Sequence, residues 1–342
     1  MRIAAALPLL LACAAACPAA EHQAPAAPKP LPSASADPLS ALPTVARVRP
    51  QAVEEAAGDE LAPGIRRVRG RHVALEGVMN IDQGPVDGLE VLACLKDGKI
   101  HETLIRLDTT IGQLVKAACI ESLGLTVDGQ PAEEGTGQPA RGIAIALEVQ
   151  WRGDQGWLGV PASALVRDRV TDTPYPALPY VWTGSRFLTL HGSGPDGQPA
   201  ARQQFMLDST KSVAVNFDEP DALFASPFPG AVNDTRFETN SSICPPPGTR
   251  IRLVVRRCEL PLTLALADDA RLSHAGQVLD DAALSALLAA HYGAGAKPAL
   301  RALGVQVERA TNRRQDIAAR TRLLAAAANA KAWVVPVFVV SE

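Results

Sequence analysis

The sequence predicts an α+β protein: a β-rich domain with one prominent helix, followed by a small ββαβαβ two-layer sandwich. Short apolar runs of strand-like, partly alternating character recur between residues 65 and 258, punctuated by Gly and Pro. One amphipathic stretch, residues 110–124, interrupts them. From residue 259 the chain turns alanine-rich, with two helical periodicities set between apolar runs. Of the 342 residues, 47% are hydrophobic and 20% charged, the balance of a chain with a packed core.

The first element is an export signal. Residues 1–20 read MRIAAALPLLLACAAACPAA, with Arg2 as a minimal positive start and an apolar stretch over 3–16. That stretch is shorter than the roughly 20 residues a spanning helix needs. Leu10-Leu11-Ala12-Cys13 resembles the bacterial lipobox, and Ala14-Ala15-Ala16-Cys17 offers a second position, so the expected lipid anchor is Cys13 or Cys17. Residues 1–17 are therefore read as a signal peptide of lipoprotein type. Nine prolines then occur from Pro18 to Pro63 without any aromatic residue, which predicts a disordered, semi-extended spacer over 18–64. Partners follow from this: the membrane through the lipid anchor, and an envelope protein. Nucleic acid is excluded, because the net charge is −3 and no Phe, Trp or Tyr precedes Trp151.

The main domain is expected over residues 65–258. Residues 67–79 read as a strand. Residues 89–95 and 100–107 flank Lys96-Asp97-Gly98-Lys99, and Asp-Gly between apolar runs predicts a hairpin with a type I′ turn. In that register Cys94 faces His101 and Ala93 faces Glu102. Thr110 with Gln113 has capping-box spacing, Ile111, Leu114, Val115, Ala118 and Cys119 share a face, and Gly124 suits the stop. Residues 133–142 read as a Gly-rich loop. Further strands are expected at 143–151, 157–160, 180–182, 186–191, 212–216 and 250–255.

These residues resemble the YdjY-domain family of exported bacterial proteins. The resemblance rests on Glu90, Ala93, Cys94, Lys99, His101, Glu102 and Thr103, then Gly184, Ser185 and Phe187, then Asn216 and Phe217, and covers roughly 190 residues in order. It implies export and a shared domain. It implies no reaction, because the family has none assigned.

Chemistry centres on Cys94, His101 and Glu102. One reading is a thiolate nucleophile with His101 as base, since a neighbouring imidazole lowers a thiol pKa. A second is a metal site completed by Cys119 or Glu102. The bland reading bridges Cys94 to Cys119 and leaves His101 a polar neighbour; it leads, because Glu102 projects away from His101. Cys244 and Cys258, which bracket residues 245–257, are the other disulfide pair. Isolated cysteines without a Cys-x-x-Cys pattern argue against an iron–sulfur or zinc-ribbon site, so no cofactor is expected and no metal is assigned. Gly184-Ser185-Arg186 lacks the second glycine of a nucleophile elbow. Residues 192–197 read as a turn, and Asp208, Asp218, Glu219 and Asp221 lack calcium-loop spacing.

Residues 259–342 read strand, strand, helix, strand, helix, strand. Asp280 caps a helix closed by Gly293, and Asn312 with Gln315 caps a second. Order and lengths resemble the periplasmic domain of ExbD/TolR proteins, which implies a fold only, since that family's transmembrane helix has no counterpart here. His274 and His291 read as surface residues. The sequence thus points to a non-catalytic exported envelope lipoprotein with a binding or assembly role; the alternative is a periplasmic redox or metal-dependent protein centred on Cys94 and His101.

Overall fold

The computed structural model describes residues 48–84, 88–126, 129–133, 138–193, 198–228, 231, 233–293, 301–308 and 312–341. The signal peptide, Cys13, Cys17 and residues 18–47 of the expected spacer lie outside the described residues.

The chain runs β1 (Gln51–Ala52), β2 (Asp59–Ala62), β3 (Ile65–Val68), β4 (His72–Met79), β5 (Val91–Leu95) and β6 (Thr103–Leu107). Helix α1 follows, α-helical over Ile111–Gln113 and π-helical over Leu114–Ser122. Next come β7 (Arg141–Gly153), β8 (Gly156–Pro161), β9 (Val166–Asp168), β10 (Thr173–Pro174), β11 (Tyr180–Trp182), β12 (Phe187–Ser193) and β13 (Pro199–Phe205). A short α2 (Leu207–Thr210) leads to β14 (Ser212–Val215), β15 (Phe224–Ala225), β16 (Phe237–Thr239) and β17 (Arg250–Arg257). The remainder is β18 (Thr263–Leu266), β19 (Leu272–His274), β20 (Gln277–Val278), α3 (Asp281–Tyr292), β21 (Arg301–Val307), α4 (Arg313–Asn329) and β22 (Val334–Val340).

Strand outweighs helix, 42% to 20%, and eight strands close a barrel. Its order is β4, β6, β5, β14, β15, β11, β7 and β17, with β17 returning to β4. Closure leaves those strands without free edges, the standing liability of an open sheet. Leu75, Val149 and Leu253 alternate inward from β4, β7 and β17 and bury fully, and Trp182 meets Phe224 at 5.5 Å between ring centres. Helix α1 packs on β2, β3 and β4 through the side that carries Leu114, Ala118 and Cys119. Thr110 caps it, accepting the Gln113 N–H at 3.4 Å, and Gly124 ends it with φ +66°. Where β7 meets β11, a Cβ on Gly142 would lie 1.8 Å from the Trp182 carbonyl oxygen, so only glycine permits that approach.

The expected fold class is corrected here. The C-terminal elements do not make a separate ββαβαβ sandwich beside a β-rich domain. Their sheet, ordered β19, β18, β21, β22, continues through β22 onto β7, pairing Phe338 with Arg141 and Val339 with Gly142. The physical reason is β22 itself. Val-Val-Pro-Val-Phe-Val-Val is apolar on both faces and needs cover on both. Phe338 joins the core under α3 and α4, while Val335 and Val337 join cores shared with the barrel. The described residues form one compact unit.

The spacer boundary also moves. β1 pairs with β8 and β2 with β3, so residues 51–62 belong to the sheet, and Ala56 is buried against Ala74 and Val254. Among the described residues, no helix is long and apolar enough to cross a membrane.

Candidate functional site

The Asp97-Gly98 hairpin does not form. Asp97 has φ +67°, yet Gly98 does not take the positive φ that a type I′ turn requires at both central positions. Instead Ile100–Glu102 makes a 3-10 turn that carries the chain back, and β6 lies parallel to β5, with Cys94 opposite Arg106. Parallel neighbours ordinarily need a crossover of about a dozen residues. This short one is pinned: the Asn80 amide donates to the carbonyls of Ile100 and Thr103, and the Thr103 hydroxyl donates to the Lys99 carbonyl.

The Cys94–His101 pairing is therefore corrected. Cys94 is fully buried between Arg106 on β6 and Ser212 on β14, whereas the His101 side chain is 80% exposed. Burial pushes the Cys94 thiol up, and a hydrogen bond with Thr103 and the charge of Arg106 only partly oppose it. His101 instead points toward Glu102, 3.7 Å away, the reverse of the expected opposite-face placement.

All four cysteines in the described residues are free. Cys94 packs with Val181 and Val215, while Cys119 belongs to the core under α1, so they sit in different clusters. Cys244 lines a cleft with Trp151, and the Cys258 N–H bonds the Ala144 carbonyl seven residues back along β7. At about 3.3 Å per strand residue those stations are about 23 Å apart, far beyond disulfide reach. The paired expectations Cys94–Cys119 and Cys244–Cys258 are both corrected. No group of three or more His, Cys, Asp or Glu side chains is placed to hold a metal among the described residues.

What the fold does bring together is a set of charges. Lys99 Nζ lies 3.4 Å from Glu219, 3.6 Å from Glu90 and 3.8 Å from Glu102. Burial works against the Lys99 ammonium, but the three carboxylates outweigh it and raise its pKa. Glu219 is nearly buried, and burial raises its pKa against the pull of Lys99 and the Ser212 hydroxyl. A lysine held in its charged form is an ion lock and not a nucleophile.

Two further segments complete the cluster. Asn216 is buried, its backbone N–H bonded to the Glu90 carbonyl at 2.8 Å and its side-chain oxygen accepting the Tyr180 hydroxyl at 2.7 Å. Gly184 and Ser185 both take positive φ, a sparsely populated conformation for serine. There the Ser185 hydroxyl donates to the Asp221 carbonyl at 2.6 Å, and Arg186 Nε donates to the Asp221 carboxylate at 2.6 Å. Segments around 90–103, 184–187 and 216–221 thus meet at one end of the barrel. Glu90, Lys99, Gly184, Ser185 and Asn216 stand out in the sequence, whereas Glu219 and Asp221 read there only as acidic residues without calcium-loop spacing. Nothing local marks their partners, which lie 120 and 35 residues away in the chain.

A different feature projects from this end. Among the described residues β12 and β13 pair only with each other, most of their side chains are exposed, and Phe187 stacks on Phe205 at 4.9 Å while 67% exposed. Comparison with protein-family models, curated proteins and solved structures finds no match to this chain.

Proposed function

We propose that this protein is an exported component of the bacterial cell envelope, held on the membrane by a lipid at Cys13 or Cys17, with a binding or assembly role and no catalysis of its own. The observation that carries the binding role is the β12–β13 ribbon. Phe205 anchors its base against the main core, yet the ribbon turns Phe187, stacked on Phe205, out to solvent, and aromatic rings dominate recognition surfaces. The apolar stretch at residues 3–16, the small residues before Cys13 and Cys17, and the proline-rich run that follows support export and tethering. The YdjY-type segments support the same reading, because they converge on a charge-compensated lock that orders the barrel end from which the ribbon leaves. Thiol chemistry at Cys94 receives no such support, given a buried sulfur and a distant, exposed imidazole.

The test is metabolic palmitate labelling of the full chain in a bacterial host, comparing wild type with Cys13→Ser and Cys17→Ser. Wild type takes label and one substitution abolishes it. An unlabelled wild type, or label retained in both variants, overturns the anchor.

A further inference from the structure

Beside the stacked Phe187 and Phe205 lies a hollow of about 300 Å³, lined by Arg202, Gln203, Gln204, Phe205 and Asp208. This is the lower end of the roughly 300–1,000 Å³ range of ligand pockets, room for one or two small rings. Its composition is specific. Phe205 supplies an aromatic wall backed by Phe187, whose rings stack with 29° between their planes. Around that wall stand two side-chain amides, a guanidinium and a carboxylate, which together offer donors and acceptors.

These polar groups are prearranged by their neighbours. Arg202 Nη2 donates to Gln204 Oε1 at 3.2 Å, Gln204 donates in turn to the Ser209 hydroxyl, and Gln203 donates to the Thr189 hydroxyl at 2.7 Å. Arg202 and Asp208 carry opposite charges, so the lining has no net charge to draw a phosphate or a polyanion. β13 has no strand on its other side. A neutral ligand with one apolar face and a rim of hydroxyl and amide groups matches all of these features. That is the chemistry of a sugar ring carrying an acetamido group.

We propose that the β12–β13 ribbon is a glycan-binding arm, with the hollow at Phe205 taking an N-acetylhexosamine unit. The C–H face of the ring packs against Phe205, Asp208 accepts from ring hydroxyls, and the glutamine amides pair with the acetamido group. The inference deepens the binding role proposed above and rests on it, but not on the lipid anchor.

Titration calorimetry of the full chain with chitotetraose, with maltotetraose as the sugar lacking acetamido groups, tests it. Chitotetraose binds, and maltotetraose binds at least tenfold more weakly. Asp208→Asn weakens chitotetraose binding about tenfold or more, one charged hydrogen bond being of that size, and Phe187→Ala, which removes the ring that backs Phe205, weakens it as well. Both side chains are exposed and Phe187→Ala loses only one ring stack, so the thermal midpoint stays within a few degrees of wild type, and Gln203→Ala repeats the test should either variant fold poorly. No heat with millimolar chitotetraose, equal binding of the two sugars, or wild-type binding by both variants overturns the proposal. A chain that takes palmitate but ignores chitotetraose sinks the glycan site alone; an unlabelled chain that binds it sinks the anchor alone.

Discussion

Asp316→Ala is the most direct test of how the C-terminal layer is held to the barrel. Asp316 sits in the first turn of α4 and is 1% exposed; Arg141 starts β7 and is fully buried. Arg141 Nε donates to the Asp316 carboxylate across 175 residues of sequence. Removing the carboxylate takes one charge partner from a guanidinium held out of water, a loss of about 3–5 kcal/mol in comparable buried pairs. An acidic residue in a helix's first turn contributes only about 0.3–1 kcal/mol through the dipole. The two explanations therefore separate at about 1 kcal/mol. Urea unfolding followed by tryptophan fluorescence reads the difference, provided the transition stays two-state. The double variant Arg141→Met/Asp316→Leu replaces the pair with apolar groups and should recover most of the loss, because both members of the buried pair are removed together. A loss below 1 kcal/mol in Asp316→Ala, or a double variant as unstable as the single one, would refute the claim that this pair joins the layers.

Two other outcomes follow from the buried groups. Burial raises the Glu219 pKa above its ordinary 4.5, so the folded chain holds that proton more tightly than the unfolded chain does. Stability attached to this group is present below pH 4.5 and declines as pH rises through the raised folded value. Urea midpoints of wild type measured against Glu219→Gln should therefore fall between pH 4 and pH 7, with Lys99 still held by Glu90 and Glu102 in the variant; a flat or rising difference contradicts the assignment. The thiols give the second outcome. Burial drives Cys119 far above the usual thiol range and Cys244 up to about 12, so at pH 8 iodoacetamide should label neither appreciably until the chain is unfolded. Rapid native labelling of Cys119, read by peptide mass, would show that the α1 core is open.

Local signals in the sequence were translated faithfully by the chain. Asp280 accepts the Ala283 N–H at 2.7 Å, and Asn312 with Gln315 forms a complete capping box on α4. Tyr180–Trp182 is a strand, and β7 and β8 turn back on each other between Gly153 and Gly156. Each depends on residues within a few positions of one another, where propensity and hydrogen bonding act without help from the rest of the fold. The Asp97-Gly98 signal is equally local and yet lost. β6 also pairs antiparallel with β4 while β14 takes the other side of β5, so the direction of β6 is fixed by its place in the barrel and not by the turn.

The candidate site was legible as residue types and hidden as geometry. Glu90, Lys99, Ser185 and Asn216 stand out in the sequence, but whether Cys94 faces His101 depends on register, and a change from antiparallel to parallel pairing reassigns every neighbour. Barrel closure, the β22–β7 seam, and the Lys99–Glu219 and Arg141–Asp316 contacts join segments from 120 to nearly 200 residues apart. By itself, then, the sequence determined caps, turns, apolar faces and a proline-rich start. Which strands became neighbours, and hence which charges met, only the tertiary structure decided, because pairing is won by the total apolar surface and backbone hydrogen bonding of the whole sheet and not by any one segment's preference.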